Sequence, residues 1–134
     1  MIGGDTRDYF EAFKRKIMQR HPYATMVPQE AAMGIASEAG EYLQLVRKWE
    51  FEDKPFNEGE AIVELSDVFH YLMQACINHD ISMEELARVN LLKMEADEKG
   101  ELRTYEQAMR HLDRHNSLNS ELDEIEAAIA VVSR

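Results

Sequence analysis

The stretch from Ala61 to Ile77 constrains the fold most strongly. Its apolar side chains recur so closely that they would point to every side of a helix, and a helix that is apolar all round is normally buried. Two acidic residues, Glu64 and Asp67, interrupt the run, and no lysine or arginine lies between Pro55 and Arg88. Buried carboxylates without partners are destabilising or become protonated. We therefore expect a cation from solution to compensate them.

A second acidic pair precedes the first. Glu38 and Glu41 are three residues apart, and Glu64 follows Glu41 by 23 positions. Residues three apart on a helix share one face, with β-carbons roughly 5–6 Å apart. Two such helices packed together would bring four carboxylates to one point, which a divalent cation makes tolerable. An all-oxygen set without a neighbouring cysteine suits Mg²⁺, with Mn²⁺ as a substitute, better than zinc.

Helical periodicity covers the chain and strand signals are nearly absent, so the predicted fold class is all-α. Pro28 suits the first turn of a helix, and Ser82 with Glu85 has the pattern of a capping box. Thr104 and Ser120 are predicted to cap two shorter helices, with a polar turn over 111–120. The longer helices are expected at Thr6–Arg20, Pro28–Trp49, Glu58–His79 and from Ser82 to near Gly100.

Small residues dominate the segment around the first acidic pair. They include Gly34, Ala36, Ser37, Ala39 and Gly40, and they would let a partner helix approach closely. Glycine lowers helix propensity by about 1 kcal/mol relative to alanine. A glycine at position 40, beside the carboxylates, therefore indicates that space matters there.

Composition limits the partners of the protein. The 134 residues fit one domain by size. A net charge of −11 argues against nucleic acid and anionic membranes, both of which need clustered lysine and arginine. The single cysteine, Cys76, excludes an intrachain disulfide and is expected in the core. No apolar run is long enough for a membrane span, and no signal peptide is evident. A cytoplasmic protein is expected.

The arrangement resembles a known family. Glu38-x-x-Glu41, an interval of 22 residues and then Glu64-x-x-Asp67 is similar to the motif of MazG-like, all-α nucleoside triphosphate pyrophosphohydrolases. Trp49, Tyr71 and Asn90-Leu-Leu-Lys93 extend the likeness, which spans about Gln29 to Asp97.

The resemblance implies Mg²⁺-dependent hydrolysis of a (deoxy)nucleoside triphosphate to the monophosphate and pyrophosphate. It implies a four-helix-bundle-like core over 1–100, completed in a homodimer or homotetramer, with 101–134 as a helical extension. Metal binding would fall to Glu38, Glu41, Glu64 and Asp67, catalysis to Glu38 and Glu41, and substrate binding to Trp49, Tyr71, Asn90 and Lys93. The chain departs from the family at Glu95–Glu98, where Arg or Asn is common, and Arg47, Lys48 or Lys54 are the candidate replacements.

Three other interpretations remain open from the sequence. One is a phosphoribosyl-ATP pyrophosphohydrolase-like enzyme, and another is a non-enzymatic helical interaction module with a structural metal site. Di-iron chemistry is the weakest, because only one acid-x-x-His motif occurs, Asp67 to His70. Base preference is expected to depend on the loop 21–27 and on aromatic residues such as Tyr23, Phe51 or Phe56. The pair His111 and His115 is expected to be solvated.

Overall fold

The computed structural model describes residues 6–22, 27–110 and 118–132, and all regular structure within them is helical, which confirms the all-α prediction. The predicted loop residue Tyr23, the pair His111 and His115 and most of the predicted polar turn lie outside the described residues. No described helix is both long and apolar enough to cross a membrane. The helices are α1 (Thr6–Arg20), α2 (Pro28–Phe51), α3 (Glu58–Asn78), α4 (Met83–Glu98), α5 (Leu102–Arg110) and α6 (Leu118–Val132).

Local chemistry explains where the long helices begin and end. Pro28 occupies the first turn of α2, where its missing N–H is no loss. The Asn57 side chain caps α3 by accepting a hydrogen bond of 3.0 Å from the Glu60 N–H. Both bonds of the predicted Ser82–Glu85 capping box are present at α4.

The end of α4 is fixed by Gly100, whose φ of +76° is accessible to glycine at little cost. The Gly100 N–H bonds to the Asp97 carbonyl, and the Glu101 N–H bonds to the Ala96 carbonyl at 2.7 Å. These two bonds form a Schellman motif.

The caps predicted for the two short helices were wrong. Thr104 lies inside α5, because the chain re-enters a helix directly after the Gly100 turn and the Glu101 carbonyl already accepts from Tyr105 N–H. Ser120 lies inside α6, which begins two residues earlier, at Leu118. Leu118, the first described residue of α6, is buried in a hydrophobic core.

The chain divides into two compact units, Met1–Asp80 and Ile81–Arg134. In the second unit α4 packs with α5 and α6 around Leu92, Tyr105 and Leu122. The Tyr105 hydroxyl donates to the Val89 carbonyl at 2.9 Å. The predicted division into a core over 1–100 and an extension over 101–134 stays a prediction.

The first unit is an antiparallel hairpin of α2 and α3, with α1 packed on α3. Phe13 of α1 stacks on Phe69 of α3 with ring centroids 5.3 Å apart and planes 16° from parallel. Ile17 is 2% exposed, and Cys76 is buried, as predicted. These contacts gather at the C-terminal half of α3.

The prediction that α3 is buried on all sides was wrong for the single chain. Ile62 is 67% exposed and Val63 is 57% exposed. The ring contacts between α1 and α3 involve Phe69 and His70, which lie about two helical turns beyond Ile62 and Val63 along α3. Further large apolar side chains are exposed on the hairpin, namely Met33, Leu43, Trp49, Phe51 and Leu65.

Candidate metal centre

The register of the α2–α3 hairpin decides which acidic residues face each other. Near the connecting loop, the rings of Trp49 and Phe56 lie 5.3 Å apart. Far from the loop, Gly34 lies against the ring of Tyr71. In an antiparallel pair, residue numbers rise along one helix as they fall along the other. The two acidic pairs, spaced three apart on each helix, therefore lie opposite each other in the middle of the hairpin.

Three of the four predicted ligands converge there. Glu38, Glu64 and Asp67 each place a carboxylate oxygen within 4.8 Å of the others. One comes from α2 and two come from α3, so the group exists only because the helices pair. Glu38 and Glu64 are half-buried. The fourth predicted ligand, Glu41, is exposed and stands outside this group.

The electrostatics of the cluster are unfavourable without a cation. The pKa of Glu64 is raised above its ordinary value, first by desolvation and then by the charges of Glu41, Asp67 and Glu38. Glu41 is the strongest of these charges, so it lies close enough to act on the site although its oxygens fall outside the group of three. Repulsion of this kind is what a bound divalent cation removes.

No described lysine or arginine side chain forms an ion pair with any of the four carboxylates. The cluster thus offers hard oxygen donors from two helices with uncompensated negative charge. That donor set fits Mg²⁺ or Mn²⁺, which take carboxylates together with water and phosphate oxygens. Exposed acidic groups are also common without a bound ion. The match between this cluster and Mg²⁺ or Mn²⁺ therefore rests on the chemistry of its oxygen donors.

The two predicted substrate residues of the first unit have clear local roles. Trp49, 48% exposed, packs against Phe56 next to the α2–α3 loop, which leaves much of its indole open. Tyr71 is half-buried, with its ring against Gly34 and edge-on to His70 at 5.2 Å.

The other two, Asn90 and Lys93, are exposed residues of α4 in the second unit. Lys93 forms a 3.7 Å ion pair with Glu106, and an exposed pair of this kind contributes little and exchanges readily. Among the candidate replacements, Lys54 pairs with Glu52 at 3.9 Å, and Arg47 and Lys48 are exposed. The binding roles of all these residues stay predictions.

A histidine–aromatic cluster beside the hairpin was not predicted. The His70 ring lies 5.9 Å from Phe13 and 5.7 Å from His21, both in edge-on geometry. Burial lowers the pKa of His70, and the positive charges of His21 and Arg20 add to this, against the opposing effect of Asp67. The acid-x-x-His spacing on α3 and the histidine at the end of α1 were visible in the sequence, but the packing of α1 was not.

Comparison with family models, with curated proteins and with solved structures produced no match. The likeness to MazG-like enzymes therefore stays a prediction carried by the two acidic motifs.

Proposed function

We propose that the protein is a Mg²⁺-dependent nucleotide pyrophosphohydrolase that converts a (deoxy)nucleoside triphosphate to its monophosphate and pyrophosphate. The observation that carries this proposal is the convergence of Glu38, Glu64 and Asp67 from two paired helices. Support also comes from the pKa of Glu64, which desolvation and then the charges of the neighbouring carboxylates raise above its ordinary value.

Glu38, Glu64 and Asp67 would hold the cation. When bound, Mg²⁺ supplies Lewis-acid stabilisation of the negative charge on phosphate oxygens. Glu41 lies near the cluster without joining it, so its carboxylate is available to orient a water molecule and accept its proton as general base. No nucleophilic side chain is needed for such a displacement.

Oligomerisation is part of the proposal. The hairpin exposes Phe51 at 78%, Met33 at 73% and Ile62 at 67%. Large exposed apolar side chains along one hairpin offer a surface for association. A second copy of the hairpin would cover it by completing a four-helix bundle. We propose a homodimer or a dimer of dimers.

The test is release of pyrophosphate from a panel of ribo- and deoxynucleoside triphosphates with Mg²⁺, with phosphoribosyl-ATP included to separate the two enzyme classes. Glu41→Gln is expected to abolish turnover and leave folding intact, whereas Glu60→Gln, one turn from Glu64 on the same helix, is expected to stay active. Absence of turnover with every substrate would refute the enzyme. Retained Mg²⁺ binding would then favour an interaction module with a structural metal site.

A further inference from the structure

The helices α2 and α3 approach each other closely where Gly34 meets Tyr71. A β-carbon built on Gly34 would overlap the ring carbons Cγ, Cδ1 and Cε1 of Tyr71. Cγ is the ring atom nearest the backbone, so a small movement of the ring tip cannot clear the overlap. The ring also contacts His70 on its own helix. An added methyl group would have to push the two helices apart or force Tyr71 into another rotamer.

This contact lies one helical turn from the acidic cluster on both helices. Gly34 is four residues before Glu38, and Tyr71 is four residues after Asp67, a rise of about 6 Å along each helix. The separation of the helices at Gly34 therefore fixes their separation at the carboxylates.

The cation chemistry is sensitive to that separation. Carbon atoms pack at about 3.5–4.0 Å, so relieving the overlap at Gly34 requires a displacement on the order of 1 Å. Mg²⁺ demands near-ideal octahedral geometry at about 2.0–2.1 Å. Glu38 is the one member of the group of three that belongs to α2, so it is the ligand that a wider spacing would withdraw.

We infer that Gly34 is a positioning residue of the cation site: its missing side chain sets the α2–α3 spacing at which Glu38 can share an ion with Glu64 and Asp67. Tyr71 is the spacer on the other helix. This inference rests on the proposed function, because it concerns the same site.

The chain provides a matched control for the test. Gly40 lies on the same helix, and no atom of the described residues comes within 4 Å of a β-carbon built there. Gly34→Ala and Gly40→Ala make the same chemical change and raise helix propensity equally. Mn²⁺ affinity, measured by electron paramagnetic resonance of free Mn²⁺, is expected to fall about 10- to 100-fold in Gly34→Ala. It is expected to be unchanged in Gly40→Ala.

Adding Tyr71→Ala to Gly34→Ala gives the second arm of the test. Removal of the ring makes room for the new methyl group, so the double variant is expected to recover Mn²⁺ affinity relative to Gly34→Ala. A purely structural role would lower stability without changing the affinity of the folded protein. If Gly34→Ala fails to fold, the Mn²⁺ affinity of the double variant is compared with that of Tyr71→Ala alone. Equal affinities are expected, because the added methyl group meets no ring once Tyr71 is replaced. A lower Mn²⁺ affinity of the double variant than of Tyr71→Ala would overturn the inference.

The two hypotheses fail in different ways. Absence of Mn²⁺ binding by the unmodified protein would overturn the cation site and this inference together. Normal binding by the unmodified protein and equal binding by Gly34→Ala would overturn the positioning role of Gly34 and leave the proposed function standing.

Discussion

Replacing Glu64 with glutamine should change stability in opposite directions with and without Mg²⁺. The pKa of Glu64 is raised in the folded protein by desolvation and by Glu41, Asp67 and Glu38. A carboxyl group whose folded pKa exceeds its unfolded value disfavours the folded state once it is ionised. Without a divalent cation at neutral pH, Glu64→Gln is therefore expected to be more stable than the unmodified protein. Its advantage should shrink as the pH falls through the raised pKa.

With Mg²⁺ the order should reverse. A ligand at 100 times its Kd stabilises the folded state by about 2.7 kcal/mol. The unit that contains the cluster is Met1–Asp80, and 1 kcal/mol shifts the Tm of a domain of this size by about 4–8 °C. Saturating Mg²⁺ should thus raise the Tm of the unmodified protein by about 10–20 °C, and Glu64→Gln should lose most of this gain.

The assay is thermal unfolding followed by circular dichroism, with MgCl₂ compared with NaCl at equal ionic strength, because salt alone screens repulsion. Glu60→Gln is the matched control, since Glu60 is the weakest of the charges that raise the Glu64 pKa. It should keep the Mg²⁺-dependent gain. An equal gain in Glu64→Gln would refute the reasoning, and so would a lower stability of that variant without Mg²⁺.

Three further predictions concern association and packing. Ile62→Asp, which places a charge on an exposed apolar position, should give monomers by light scattering with unchanged helicity; an unchanged mass would contradict the proposed interface. The lowered pKa of His70, caused by burial and by His21, should make stability fall as the pH drops from above 6.5 towards the folded pKa. His70→Gln should flatten that loss in urea titrations, and an identical pH profile would contradict it. Tyr105→Phe removes the donor to the Val89 carbonyl and should lower the free energy of unfolding by about 1–2 kcal/mol; no change in the urea midpoint would show that water replaces the bond.

Local signals in the sequence predicted the long helices well. The predicted end of the first helix at about Arg20 is confirmed, and Pro28 and the Ser82–Glu85 capping box mark helix starts through their own chemistry. Thr104 and Ser120 failed because a hydroxyl is only one way to start a helix. At α5 a turn through Gly100 had already begun the helix, and α6 already includes Leu118, which is buried in the core of the second unit.

The sequence predicted which residues form the candidate site better than it predicted their geometry. Spacing of three residues puts two carboxylates on one helix face, but only the register of the hairpin decides that Glu38 joins Glu64 and Asp67 while Glu41 stays outside. The sequence predicted that Gly40 is small because space is limited there, but no described atom comes within 4 Å of a β-carbon built at Gly40. Space is limited at Gly34 instead, where the Tyr71 ring packs against the backbone. Such contacts depend on the paired helices and cannot be read from either helix alone.

The account depends on Glu38, Glu64 and Asp67 sharing one hard cation. Anomalous scattering from crystals soaked in Mn²⁺ tests this most directly. The account predicts a single strong peak within coordination distance of carboxylate oxygens from both α2 and α3. It would be contradicted by a map without that peak, or by an ion bound to one helix only while the other carboxylates point into solvent.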